Sequence, residues 1–385
     1  MSYLFPNYGR IPLEIVSGEG TNVFDDRGNR YLDFTSGIGV CNLGHRPVQV
    51  KSAVDHQLEK VWHTSNLFES SIQEDVAQLL CQNSGGDAVF FCNSGAEANE
   101  AAIKLARKFK KKHRMISFQQ SFHGRTMATL SATGQKKVRD GFEPLVENFE
   151  YFPFNDIDAI TQLTGDDIGA IIIEVIQGEG GVIPANQAFL KAVEKKCKEL
   201  DALLIVDEVQ TGIGRTGVPF AFMHYDIKPD IITVAKGLGS GFPVGAMIGS
   251  EKLIGCFSAG THGSTFGGNP VCMSAARATL NVVFTPSFLI EVNRKSELIM
   301  NKLDQLNKLS LVKSVRGKGL MIGIELKLEA KEVLADLRKK GLLVLPAGPK
   351  VIRLLPPLTI KESEIEEGLS LITKTLEEKE TIQSV

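Results

Sequence analysis

The chain has 385 residues, 43% of them hydrophobic and 23% charged, the make-up of an ordinary globular protein of one to three domains. Forty-three Lys and Arg stand against 45 Asp and Glu, a formal net charge of -2, which gives no electrostatic case for nucleic acid or an anionic membrane as partner. Six cysteines without C-x-x-C spacing and seven histidines without H-E-x-x-H spacing argue against a disulfide framework and against a metal.

Met1 to Arg10 lack a basic stretch followed by an apolar core, so no secretory signal is read there. No run of about 18 apolar residues reads as a membrane span. The cytoplasm is the expected compartment. A hairpin is expected over Thr21–Phe34, turning at Asp26-Arg-Gly-Asn29. Strand-like runs then alternate with helical patterns: Ala88–Phe91, a helix Ala98–Phe109, Met115–Phe118, Ile168–Ile173, a helix Ala188–Leu200, Leu203–Val206, Ile231–Val234 and Val244–Ile248. The basic run Lys108 to Arg114 reads as a solvated helix end. Alternation of this kind predicts an α/β fold with a mainly parallel sheet. The tail follows an α+β pattern: a long helix from Pro286 to Leu309, a strand over Lys318–Leu326, a helix over Ala330–Lys340, strands over Leu342–Leu345 and Val351–Leu355, and a last helix from Glu362. Residues 46–276 are expected as a large domain, with 1–45 and 277–385 together making a smaller one.

The residues that carry chemistry follow the strands. Asp207 closes Ala202–Val206 and Lys236 closes Ile231–Ala235, so two buried parallel strands would hand an acid and an amine to the same sheet edge, where open α/β folds bind ligands. That pair is what pyridoxal 5'-phosphate requires: an amine for its aldehyde and an acid to keep its ring nitrogen protonated. Asn93-Ser-Gly-Ala-Glu97 opens a helix with capping-box spacing, and Gly95 would let free amides approach a phosphate. Ser121-Phe-His-Gly-Arg125 offers the flat rings of Phe122 and His123 to a heteroaromatic cofactor and Arg125 to a carboxylate; standing alone it would pass for a turn with a core aromatic. Ile176-Gln-Gly-Glu-Gly-Gly181 carries one acid, Glu179, and the glycine-rich loop after Thr261 carries Ser264 and Thr265. Arg353 lies in an apolar run and needs a partner, either a structural acid or a ligand. Gly212-Ile-Gly-Arg-Thr-Gly217 matches G-x-G-x-x-G, but the proline and crowded aromatics after it are no helix opening, so it reads as a turn instead of a dinucleotide site.

Taken together, these segments resemble the class III pyridoxal-phosphate aminotransferases, and within them the acetylornithine aminotransferase family. The resemblance runs from Tyr8-Gly-Arg10 through Asn42-Leu-Gly-His45, Phe91 to Glu100, Ser121 to Thr126, Gln177 to Gly181, Asp207 to Gly212 and Ala235-Lys-Gly237 to Arg316-Gly-Lys-Gly319 and Arg353-Leu-Leu-Pro-Pro357. Asp-Glu-x-Gln and Ala-Lys-Gly, with Asp207 and Lys236 29 residues apart, are its strongest markers. Val175 stands before Ile176-Gln177, where proline is common in relatives.

The resemblance implies a fold type I PLP-dependent transferase and assigns roles by position. Gly95 and Ala96 would give amides to the phosphate, joined by the Thr265 hydroxyl of a neighbouring subunit. Phe122 would stack on the ring, Asp207 pair with its nitrogen, and Gln210 approach its phenolic oxygen, with Val209 also in the cofactor set. Lys236 would hold the cofactor and act as general base. Arg125 and Ser264 would contact the amino-acid substrate; Arg353 would take the α-carboxylate of 2-oxoglutarate or glutamate, with Glu179 covering it in the other half-reaction. A homodimer with shared sites follows. The implied reaction moves the terminal amine of N2-acetylornithine to 2-oxoglutarate, giving N-acetylglutamate 5-semialdehyde and glutamate in arginine biosynthesis. Ornithine, succinylornithine or 4-aminobutyrate as donor are the nearest alternatives. An aminomutase or epimerase, or a non-catalytic protein that kept the fold, are further ones.

Overall fold

A computed structural model describes residues 3–383. Its centre is a seven-stranded sheet in the order Ala88–Cys92, Gly245–Gly249, Ile231–Val234, Leu203–Asp207, Ile168–Ile173, Arg114–Phe118, Phe149–Phe152. Five neighbouring strands run parallel, while Gly245–Gly249 runs antiparallel to both its neighbours. The parallel strands are continuous apolar runs because both faces are covered. Ile171, Ile173, Leu204 and Val206 enter the larger core on one face. Ala170, Ile172, Leu203 and Ile205 meet the helix Gly95–Lys110 on the other, through Ile103, Leu105 and its alanines. Within this sheet the expected strands are all present, and the one strand not expected is the edge strand Phe149–Phe152, whose residues are only partly buried.

A second core gathers the long helix Pro286–Leu303 and the last helix Glu362–Gln383 on an antiparallel sheet in the order Val312–Lys318, Met321–Leu326, Val351–Leu354, Leu345–Pro346. Lys318 is thus the end of one strand of a hairpin and not the start of a single strand over 318–326, because Gly319, at φ +58°, turns the chain. The N-terminal strands Ile15–Glu19, Asn22–Asp25 and Arg30–Asp33 continue into Leu342–Leu343, and Leu32 and Phe34 sit in this second core. Residue 277 lies inside one continuous helix, Pro270–Val283, whose Met273, Ala275, Ala276, Leu280 and Val283 belong to the larger core. Among the described residues no helix is long and apolar enough to cross a membrane, and no cluster of His, Cys, Asp or Glu could hold a metal ion.

Candidate active site

Parallel register decides where the chemistry collects. Asp207 pairs with Thr233 across the central strands, so Asp207 and Lys236, three residues beyond Thr233, leave the sheet at the same edge. There they line a cavity of about 440 Å³ with Gly95, Phe122, Glu179 and Gln210. Ala96, Arg125 and Val209 reach the same space. Nine of the twelve residues to which the resemblance assigns roles therefore share one cavity. Arg353 lies directly behind it, and Ser264 and Thr265 line a separate cleft of about 410 Å³.

Asp207 is 4% exposed and held from three directions. Its Oδ2 meets Asn99 Nδ2 and His123 Nδ1, each at 2.8 Å, and its Oδ1 accepts the Val209 amide at 3.0 Å. Asn99 is fixed in turn: Nδ2 also donates to the His123 carbonyl at 2.8 Å, and Oδ1 accepts from Thr233 at 2.7 Å. With its donors arranged behind it, the carboxylate presents acceptor capacity to the cavity. His123 does not offer its ring face to a ligand, as the sequence suggested; it is 2% exposed and turned edge-on to Asp207, with Nε2 buried and unpartnered.

At the other end of the cavity the helix Gly95–Lys110 begins. Ser94 Oγ accepts the Glu97 amide at 3.2 Å, and the Glu97 carboxylate reaches back to the Asn93 amide at 2.5 Å, one residue short of a reciprocal capping box. The amides of Gly95 and Ala96, as first-turn groups, have no partner within the helix, and the helix dipole makes that corner favourable for an anion. Gly95 is required by packing: a Cβ there would stand 2.6 Å from Val209 Cγ1.

Lys236 enters the cavity from a residue at φ +45°, a strained left-handed backbone for a side chain of this size. Burial pulls its ammonium pKa down, and Arg353 adds to that, while Glu179, Asp207 and Glu174 pull the other way; the net shift is downward. An amine so placed is readier to act as nucleophile or base near neutral pH. Arg353, 2% exposed on its strand, donates from Nη1 to Glu179 Oε1 at 2.5 Å and to Gln210 Oε1 at 3.0 Å. Burial works to raise the Glu179 pKa, but Arg353, Lys236 and Gln210 outweigh it and hold the carboxyl below its ordinary value. Arg125 is exposed at the rim, its guanidinium 5.5 Å from the Phe122 ring centroid.

Sequence reading passed over Asn99, His123 as an Asp207 ligand, and Glu174. The last is a buried acid lining the cavity, whose carboxyl is pushed up to about 7 by burial, with Asp207 adding to the rise and His123 opposing it. One signal was available: Glu174 is the first polar residue after Ile168–Ile173, the same position relative to its strand that Asp207 and Lys236 hold.

An anion corner, a ring-sized space beside Phe122, an acceptor carboxylate with a preset donor shell and a buried amine are the complement of pyridoxal 5'-phosphate, so the residues present fit that group. Residues 3–376 match the family described as aminotransferase class-III. The chain is 54% identical over 376 residues to the acetylornithine aminotransferase of Bacillus cereus, covering 97% of each chain, and 56% identical over 379 residues to that of Halalkalibacterium halodurans, covering 98% of this chain and 99% of the relative. Among solved structures it resembles the ornithine aminotransferase of Toxoplasma gondii, with a TM-score of 0.94, 31% identity, and 98% and 93% of the two chains covered. It also resembles the N-acetylornithine aminotransferase of Stenotrophomonas maltophilia, with a TM-score of 0.85, 36% identity and 98% of each chain covered. The chain belongs to the class-III aminotransferases.

Proposed function

We propose that the protein transfers the terminal amine of N2-acetylornithine to 2-oxoglutarate, with pyridoxal 5'-phosphate held by Lys236, Asp207 and the amides of Gly95 and Ala96. The observation that carries this reading is the delivery of Lys236 and Asp207 to one cavity edge opposite a helix N-terminus, with Arg353 behind it under Glu179. Bound pyridoxal phosphate supplies an aldehyde that receives the amine and a cationic ring that accepts the electrons of a broken C–H bond.

The chain's own groups do the rest. Asp207, fixed by Asn99, His123 and Val209, holds the proton on the ring nitrogen. Lys236 Nζ would hold the cofactor and would serve as the base for the proton on the carbon that bears the substrate amine. Its depressed pKa makes the unprotonated amine more accessible at neutral pH. Phe122 and Val209 wall the ring space, and Gln210 reaches it from the side that also contacts Arg353. Glu179 neutralises Arg353 while the ω-amine donor, which brings no carboxylate to that corner, is processed. When 2-oxoglutarate enters, Glu179 yields and Arg353 takes the α-carboxylate in a charge-assisted, forked contact. Arg125, exposed at the rim, holds the donor's own carboxylate.

Ser264 and Thr265 are assigned to a second copy of the chain. Their loop is pinned by Asn66, which donates to the carbonyls of Ser264 (3.1 Å) and Gly267 (2.8 Å). Around it Trp62, Leu67, Phe68 and Phe266 are 67%, 90%, 70% and 60% exposed. An apolar surface of that kind beside a site-bearing loop supports a homodimer in which Thr265 completes the neighbour's phosphate site and Ser264 its substrate site.

Free ornithine as donor has one observation in its favour, the higher TM-score to an ornithine aminotransferase. A substrate panel with 2-oxoglutarate as acceptor decides. N-acetylornithine is expected to have the highest kcat/KM over ornithine, succinylornithine and 4-aminobutyrate. A higher value for any of the other three overturns the assignment, and turnover without an oxo acid overturns transamination itself.

A further inference from the structure

The acid that sequence reading passed over sits between two working loops. Glu174 leaves the strand Ile168–Ile173 and is 7% exposed. Its Oε2 accepts the amide of Phe122 at 3.0 Å, and its Oε1 accepts the amide of Gly178 at 3.2 Å. Phe122 is the ring wall of the cavity, and Gly178 is the residue before Glu179, the acid that covers Arg353. One carboxylate thus ties the ring wall to the covering loop. Nearby contacts tighten the same junction. Gln177 Nε2 donates to the Gln119 carbonyl at 2.8 Å, a Cβ on Gly180 would stand 2.7 Å from the Gln120 carbonyl, and one on Gly178 would stand 2.5 Å from Gln210 Oε1. Beyond Glu179 the loop is held as well, since Arg316 donates to the Gly181 carbonyl at 2.7 Å and to the Val182 carbonyl at 3.0 Å.

We propose that Glu174 is a positioning residue of the Glu179–Arg353 gate, fixing the upstream end of the glycine loop so that only the Glu179 side chain moves when a dicarboxylate displaces it. Two acceptor oxygens on one side chain are what the geometry demands, because both partners are backbone N–H groups. Glutamine at 174 would keep one acceptor and turn an NH2 donor toward the other amide, leaving a buried N–H unsatisfied. Aspartate keeps both oxygens but is one methylene too short to span the two loops, so it should rescue only one contact. The proposal rests on the aminotransfer reading for its kinetic consequence, though not for the anchor itself.

The test compares wild type, Glu174→Gln and Glu174→Asp as cofactor-loaded proteins, by hydrogen exchange and by the KM values of the two substrates. Exchange of the peptides holding Phe122 and Gly178 is expected to rise about tenfold in Glu174→Gln, the size of one lost hydrogen bond. In Glu174→Asp one of the two peptides should stay protected. The KM for 2-oxoglutarate should rise about tenfold, and that for the amine donor less than about threefold, since Arg353 is covered while the donor reacts. Unchanged exchange in both peptides overturns the anchor, whatever the enzyme's substrates prove to be. Faster exchange with equal shifts in both KM values overturns the link to the gate. If Glu174→Gln does not fold, Glu174→Asp alone decides on the same two readouts.

Discussion

Gly95→Ala probes the cofactor corner with the smallest possible change. The added Cβ would stand 2.6, 2.8 and 3.3 Å from the Cγ1, Cγ2 and Cβ atoms of Val209. Carbon atoms rest at about 3.5–4.0 Å, so the overlap is about 1 Å on a stiff, β-branched side chain. Val209 cannot retreat as a whole, because its amide is bound to Asp207 Oδ1 at 3.0 Å. The relief available is a push of the isopropyl group into the cavity that Val209 lines. Overpacking of this kind costs about 1–3 kcal/mol, and here the cost falls on the occupied cavity, a loss of roughly 5- to 150-fold in cofactor affinity. The cofactor-free protein should be little affected, since alanine is a better helix former than glycine at a first-turn position by up to about 1 kcal/mol. Titration of cofactor into the stripped protein, followed by absorbance, measures the affinity, and thermal melts with and without cofactor separate the two effects. Adding Val209→Ala to Gly95→Ala removes the overlap and should restore most of the binding, a non-additivity that a double-mutant cycle reads directly. Unchanged cofactor affinity in Gly95→Ala, or no recovery in the double variant, refutes the packing argument.

Arg353→Ala should cut the single-turnover rate with 2-oxoglutarate by about 100-fold or more, the value of a forked charge-assisted contact, while the amine-donor half-reaction loses less than about fivefold; equal losses would remove Arg353 from its assigned place. A hybrid dimer of one Lys236→Ala and one Thr265→Ala subunit contains one complete site if Thr265 serves its neighbour, so the isolated hybrid should have about half the wild-type activity, and an equal mixture after subunit exchange about a quarter. No recovery would place Thr265 in its own subunit's site or outside any site. Stability should also report His45, whose imidazolium is held by Asp33 at 2.8 Å and by Cys41, raising its pKa from 6.5 to about 10. The folded protein keeps that proton after the unfolded chain has lost it. The contribution is therefore complete below pH 6.5 and disappears as pH climbs through about 10. Denaturant midpoints across that range should fall more steeply for wild type than for His45→Asn, and parallel curves would show that the pair contributes nothing.

The parts of the site that the sequence disclosed are those governed by strand ends. Ile231–Val234 and Leu203–Val206 are β-branched and leucine-rich runs that only a two-sided sheet explains, so the polar residues closing them, Lys236 and Asp207, had to emerge at its edge. The same reasoning applied to Ile168–Ile173 points at Glu174, and it was Glu179, five residues further on, that drew notice as the lone acid in a glycine loop. Asn99 left a different trace, a polar residue among Ala98, Ala101 and Ala102 on the buried face of its helix, which a capping motif at Ser94 overshadowed. Strand direction was not legible: Gly245–Gly249 carries the same apolar pattern as its parallel neighbours, and only pairing with Ala88–Cys92 and Ile231–Val234 reveals that it runs the other way. Phe149–Phe152 escaped because Glu150 and its partly exposed aromatics lack the continuous burial of the central strands. The link between Arg353 and Glu179 spans 174 positions in the chain, and no local pattern carries such a pairing.

The central claim is that the amine at position 236 holds the cofactor. Borohydride reduction of the pyridoxal-phosphate-loaded protein, followed by peptide mapping, should find a single stable adduct on Lys236, absent from Lys236→Ala. An adduct on another lysine, or none in a protein that still transaminates, would contradict the account at its root.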